Sequence, residues 1–93
     1  MIHTYIIAEI GQNHNGSVEE AKKIISEAKI AGADAIKITM RDLDFEMTCD
    51  MAKQEYNSPN SYGKTYIEHR IALELTKEEI YYLCRYCIEI EID

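Results

Sequence analysis

The sequence predicts an α/β fold built on parallel strands. Three observations carry that reading. Residues 4–10, "TYIIAEI", form a short apolar run, and residues 33–39, "ADAIKIT", form another. Between them lies a segment with helical spacing, so strand, helix and strand follow one another as in a βαβ unit with a right-handed crossover. The first run is apolar on both faces through Ala8, as in a parallel sheet covered on both sides.

The elements follow in order. The run 4–10 reads as the first strand. A polar segment, "GQNHNG" at 11–16, leads to Ser17. "SVEE" is a capping box, in which Ser17 caps a helix and Glu20 reaches back. Val18, Ala21, Ile24, Ile25 and Ala28 then keep helical spacing, and Gly32 stands where a helix stop is common. The run 33–39 is the second strand. Residues 40–65 show no sustained period and hold the only proline, Pro59. They are expected to form a long polar loop, of the kind that is usually functional or disordered. A short helical pattern follows through Tyr66, Arg70 and Leu73. A second capping box, "TKEE" at 76–79, opens a helix carrying Ile80, Leu83, Cys84, Cys87 and Ile88. "IEIEID" at 88–93 reads as the end of that helix and the beginning of another strand.

Composition bounds the function. The chain has 93 residues, 46% of them apolar, which is globular composition and one domain at most. No apolar run approaches the roughly 18 residues that span a bilayer, and the N-terminus lacks the features of a signal peptide. The expectation is a soluble cytoplasmic protein. The net charge of −7, from 17 acids and 10 bases, disfavours nucleic acid and anionic membrane as partners. Three cysteines make a poor disulfide framework and fit a reducing compartment. Cys84 and Cys87 form a C-x-x-C at core spacing and are expected to be buried thiols, since a zinc site needs two further ligands. Two or three parallel strands cannot close a barrel and leave an open edge. The chain is therefore expected to be a piece of something larger, the alternative being a small three-layer domain.

Strand parity selects the site candidates. In the first strand Ile6, Ala8 and Ile10 share one face, Ile7 and Glu9 the other; in the second, Lys37 and Thr39 lie opposite Ile36 and Ile38. The apolar faces should meet the helices. Glu9 and Lys37 then point away from them, near the strand ends where ligands bind in such folds. Either Glu9 accepts hydrogen bonds from a polar ligand and Lys37 holds an anion, or the two form a salt bridge that neutralises buried charges. In the following loop, Asn13, His14 and Asn15 are expected to fix the backbone and orient Glu9 rather than bind metal. Arg41, with Asp42, either helps to hold an anion or is solvated. His69 and Arg70 sit among tyrosines, where they reach a substrate, cap a helix or face a partner.

The stretch "YIIAEIGQNHNGSVEEAKKIISEAKIAGADAIK", 5–37, closely resembles the N-terminal segment of the N-acetylneuraminate (sialic acid) synthase family, and "YNSPNSYGKTYIEHRIALELTKEEIYYLCRYC", 56–87, continues the likeness. The resemblance implies a (β/α)8 TIM barrel, of which residues 1–93 would be an N-terminal fragment: the first two βα units, with a long loop after strand two. It implies condensation of phosphoenolpyruvate with an N-acetylhexosamine-type sugar to a sialic or related nonulosonic acid. A divalent metal, manganese or magnesium, and a homodimeric parent are also implied. By the same resemblance Glu9 contacts the sugar and Lys37 the phosphoenolpyruvate phosphate, while the metal ligands lie outside residues 1–93. The fragment alone is then expected to be inactive. Two departures stand out: Thr39 replaces the glutamine of a common K-F-Q, and the glycine expected after the second helix is replaced around Glu91. The competing readings are a non-catalytic sugar- or partner-binding module, or a truncated chain with no function of its own.

Overall fold

Two three-residue strands, β1 (Ile7–Glu9) and β2 (Ala35–Lys37), pair in parallel, with Ile7 opposite Ala35, Ala8 opposite Ile36 and Glu9 opposite Lys37. The computed structural model describes residues 2–56, 58, 59 and 61–93. Both strands are shorter than their apolar runs, and Asp34 supplies the reason. Its Oδ2 accepts the Ile6 N–H at 2.8 Å and also meets the His3 ring, while the Ile6 carbonyl takes both the Asp34 and Ala35 amides. A side chain has taken a ladder donor, so regular pairing begins at Ile7.

The crossover is α1 (Val18–Ile30). Ser17 caps it, its Oγ accepting from the Glu20 amide at 3.2 Å. The expected capping box is only half made, because the Glu20 carboxylate receives Lys23 Nζ at 3.3 Å instead. At the other end the Ala33 amide donates to Ala28 O and the Gly32 amide to Lys29 O, with Gly32 at φ +97°. That pair of bonds is a Schellman motif, which favours glycine at this position.

The described residues between 40 and 65 include regular structure that a polar loop would lack. They hold α2 (Leu43–Glu46), capped by Asp42, α3 (Cys49–Lys53), capped by Thr48, and a bridge between Glu55 and Thr65. Helices under two turns are too short to show a period, which is why the sequence pattern missed them. Asn57 and Asn60 of this segment lie outside the described residues. α4 (Tyr66–Leu73) opens with a complete capping box, Thr65 with Glu68, and α5 (Lys77–Glu89) with the expected one, Thr76 with Glu79.

α5 ends as α1 does. The Ile92 amide donates to Cys87 O at 2.9 Å and the Glu91 amide to Ile88 O at 3.2 Å. Here the left-handed position is Glu91, at φ +61°, where a glycine would carry no steric penalty. The turn returns the chain to β2. The Asp93 amide donates to Asp34 O and its carbonyl accepts from the Ile36 amide at 2.8 Å. These two bonds flank Ala35 as a parallel neighbour would. The beginning of a third strand is thus met at Asp93 alone, since residues 90–92 make the helix-ending turn.

The core is Ile10, Ala21, Ile25, Leu75, Leu83 and Ile92, with Ile36, Ile38, Ile80 and Cys87 packed against it. It lies between one face of the sheet and helices α1 and α5. Ala21, Ile25 and Leu83 are completely buried, and each large side chain of this kind contributes about 2–3 kcal/mol. Two expectations need correction. Ile6 shares the helix-facing parity but is half exposed, because it precedes the packed part of β1. Cys84 is exposed and Cys87 only half buried. Both border a groove of ≈380 Å³ with Ile36, Ile38 and Ile88 that the chain leaves open. Helical spacing placed them on one face, but that face is not fully covered.

Candidate functional site

Glu9 and Lys37 lie side by side at the C-terminal ends of β1 and β2, on the sheet face opposite the core. Lys37 Nζ is 3.6 Å from Glu9 Oε2. The salt bridge of the structural alternative therefore exists, but it neutralises no buried charge: the side chains are 60% and 58% exposed. An exposed pair contributes about 0–1 kcal/mol, so the fold does not depend on it. Both head groups are open to a ligand.

The loop after β1 folds back on itself. Gly11, Asn15 and Gly16 all have positive φ, at +50°, +53° and +74°. The Asn13 amide donates to Ile10 O, the Asn15 amide to Gln12 O and the Ser17 amide to His14 O. His14 is 3% exposed, and its Nδ1 accepts from the Gly16 amide at 3.0 Å. Burial holds its pKa below the usual histidine value, against the opposing charge of Glu74. A neutral ring with Nδ1 as acceptor is a structural plug for the loop. The expected orientation of Glu9 by Asn13, His14 and Asn15 is not what the bonds do. They close the loop, and among the described residues the partner of the Glu9 carboxylate is Lys37.

The loop is fixed to α4 at two points. A Cβ on Gly16 would stand 2.2 Å from the Ala72 carbonyl oxygen, so the backbones touch where only glycine fits. Next to it, Arg70 Nη1 donates to Gln12 Oε1 at 2.7 Å. Arg70 and His69 are both buried, so neither faces solvent. The His69 Nδ1 accepts from the Tyr62 amide at 3.1 Å, and its ring lies 4.4 Å from that of Tyr56 and 6.0 Å from that of Tyr62. A cavity of ≈450 Å³ is lined by Gln12, Asn13, Asn15, Tyr56, Tyr62 and His69. Arg41 is brought elsewhere. It is exposed, its amide lies 3.4 Å from Glu74 Oε2, and it borders a different cavity with Asp42 and Lys77. Sequence reasoning passed over Gln12, Tyr56 and Tyr62. Gln12 stood inside the flagged loop; the two tyrosines carried no periodic signal. Among the described residues no three His, Cys, Asp or Glu side chains gather to hold a metal ion.

A profile of the NeuB family matches residues 24–93. An N-acetylneuraminate-9-phosphate synthase of Drosophila melanogaster is 47% identical over 89 residues, covering 96% of this chain and 24% of the relative.

The chain belongs to the NeuB family.

Its human relative of the same name is 42% identical over 88 residues, 95% of this chain and 24% of that protein. An N,N'-diacetyllegionaminic acid synthase of Legionella pneumophila is 40% identical over 80 residues, 85% of this chain and 22% of that one. The crystal structure of the spore coat polysaccharide biosynthesis protein spsE from Bacillus subtilis superimposes with a TM-score of 0.59 at 31% identity, over 95% of this chain and 22% of that one. This NeuB chain thus spans about a quarter of the length of these relatives. Among its described residues no helix is long and apolar enough to cross a membrane.

Proposed function

We propose that this chain forms the first two βα units of a (β/α)8 barrel in a synthase that condenses phosphoenolpyruvate with an N-acetylhexosamine-type sugar and water, giving a sialic or related nonulosonic acid and inorganic phosphate. The observation that carries the reading is the pairing of Glu9 with Lys37 at the ligand-facing strand ends, on an open sheet face, in a chain of this family. Lys37 binds the phosphoenolpyruvate phosphate as a point charge. Glu9 accepts hydrogen bonds from sugar hydroxyls. In the free protein each serves as the other's counter-ion, and ligand binding replaces that weak exposed pair with two charge-assisted contacts. The two groups hold the enol carbon of one substrate against the aldehyde carbon of the other, which lowers the entropic part of the barrier. A divalent metal, manganese or magnesium, would supply Lewis-acid polarisation of the aldehyde when bound. The residues described here do not fit it, so its ligands belong outside residues 1–93. The working enzyme is a cytoplasmic homodimer without nucleic-acid or membrane partners.

The test is steady-state kinetics of the protein encoded by the complete reading frame, with phosphoenolpyruvate and N-acetylmannosamine or its 6-phosphate. Lys37→Ala is expected to raise KM for phosphoenolpyruvate, and Glu9→Gln to lower kcat/KM for the sugar, by at least 100-fold each, with unchanged circular dichroism. Wild-type turnover in both variants refutes the assignment.

A further inference from the structure

Arg70 is buried, and among the described residues it has no ion-pair partner. The residue is 7% exposed, and its Nη1 donates to Gln12 Oε1. Its Nε and Nη2 are fully buried and have no hydrogen-bond partner among the described residues, and the same holds for Gln12 Nε2. A guanidinium can only donate, so the Gln12 amide must turn its oxygen to Arg70 and its NH2 group away. Three nitrogen donors on one hydrogen-bonded pair therefore lack an acceptor. The ion pairs formed by the described residues are His3–Asp34, Lys23–Glu20 and Lys37–Glu9, and none involves Arg70. The chain has seven more acids than bases, yet among the described residues no acid forms an ion pair with Arg70. A guanidinium stays protonated at all accessible pH, and a buried charge is tolerated only when paired. A water molecule would satisfy an N–H without supplying the missing charge.

The geometry points to an oxyanion site at Arg70 and Gln12, taking a phosphate or carboxylate group of a ligand. Nε and Nη2 form the fork that grips two oxygens of such a group, with Gln12 Nε2 as a further donor. Gln12 also borders the ≈450 Å³ cavity, whose other lining residues are Asn13, Asn15, Tyr56, Tyr62, His69 and Leu73. Amides and aromatic rings suit the polar body that carries the anion. Lys37 does not line that cavity and is paired with Glu9 instead, and the site does not rest on the function proposed above.

The experiment is thermal unfolding of the protein from the complete reading frame in orthophosphate, in acetate and in chloride at matched ionic strength. Orthophosphate or acetate is expected to raise Tm saturably, by a few degrees over chloride, as a ligand of the native state does. Saturation by orthophosphate alone assigns a phosphate group, and saturation by acetate a carboxylate. The rise should disappear in Arg70→Gln and survive in Lys37→Ala. Should Arg70→Gln fail to fold, Gln12→Glu decides: it sets a carboxylate beside Arg70, so it should remove the anion response and raise Tm in chloride. No difference from chloride in the wild type overturns the site. So does a response that persists in Gln12→Glu, or one that Lys37→Ala abolishes.

Discussion

Replacing Gly16 by alanine should destabilise the protein far more than replacing Gly11, although both glycines have positive φ. At Gly11, φ is +50° and a Cβ would meet nothing within 4 Å. The cost there is the left-handed conformation, roughly 1–2 kcal/mol, offset by about 0.4–1 kcal/mol from a stiffer unfolded chain. The net is about 1 kcal/mol or less. At Gly16, φ is +74°, so the same terms apply, but the Cβ would also lie 2.2 Å from Ala72 O and 3.5 Å from Leu73 Cα. Ordinary contact needs more than 3.4 Å, so the loop and the last turn of α4 must separate by over an ångström. Both are backbone and neither can turn away. Overpacking of this kind costs typically 1–3 kcal/mol, which brings Gly16→Ala to about 2–4 kcal/mol. With a urea m-value of about 1–1.5 kcal/mol/M, the midpoint should fall by roughly 1.3–4 M for Gly16→Ala and by less than about 1 M for Gly11→Ala. Equal midpoints for the two variants would show that the close approach of loop and helix carries no energy.

Three further outcomes follow from the same geometry. Glu91→Gly should stabilise the protein by about 0.5–1 kcal/mol, read from the urea midpoint, because it relieves φ +61° at the end of α5 while every bond of that turn is to backbone. Leu83→Ala should cost about 2–5 kcal/mol, since Leu83 is completely buried against α1 and the sheet; a loss under 1 kcal/mol would mean that the core is not packed as described. His14 has a folded pKa below its unfolded value near 6.5, so the unfolded chain binds the extra proton first. Its contribution is complete above about pH 6.5 and is lost as the pH falls through the lower folded value. His14→Asn, which keeps an acceptor for the Gly16 amide, should flatten the fall in Tm between pH 7 and 5, and an unchanged slope would assign that fall to other groups.

The sequence was most legible where the signal is local. The cap at Ser17, the capping box at Thr76 and Glu79, and the stop at Gly32 stand where short-range chemistry puts them. Parity placed Glu9 and Lys37 on one face because alternation along a strand is a geometric property of the backbone, and the observed register puts them directly opposite. The strand ends were less legible, since Asp34 intercepts the Ile6 amide through a side-chain bond that no pattern of apolar residues records. The thiols of Cys84 and Cys87 show a related limit: spacing tells which helix face a residue occupies, but not what covers that face. The Gln12–Arg70 contact spans 58 positions, and nothing local in either segment points to the other. Asn13, His14 and Asn15 were singled out as polar groups at a strand mouth, and most of their bonding serves the loop's own shape.

The return of Asp93 to β2 carries a consequence for how positions line up across the sheet. Ile7 stands opposite Ala35, and Ala35 is flanked on its other side by Asp93, so these three residues form one transverse row. The Tyr5 hydroxyl, on the same face of the chain as Ile7, donates to the Asp93 carboxylate at 2.6 Å and ties the two margins of that row together. Glu9 and Lys37 occupy the row two residues further along, on the same face. A strand that continues from Asp93 in this register sets its second residue into the row of Glu9 and Lys37. The side chain at that step would be the next neighbour of Lys37, and its charge would change the field at the lysine's ammonium group.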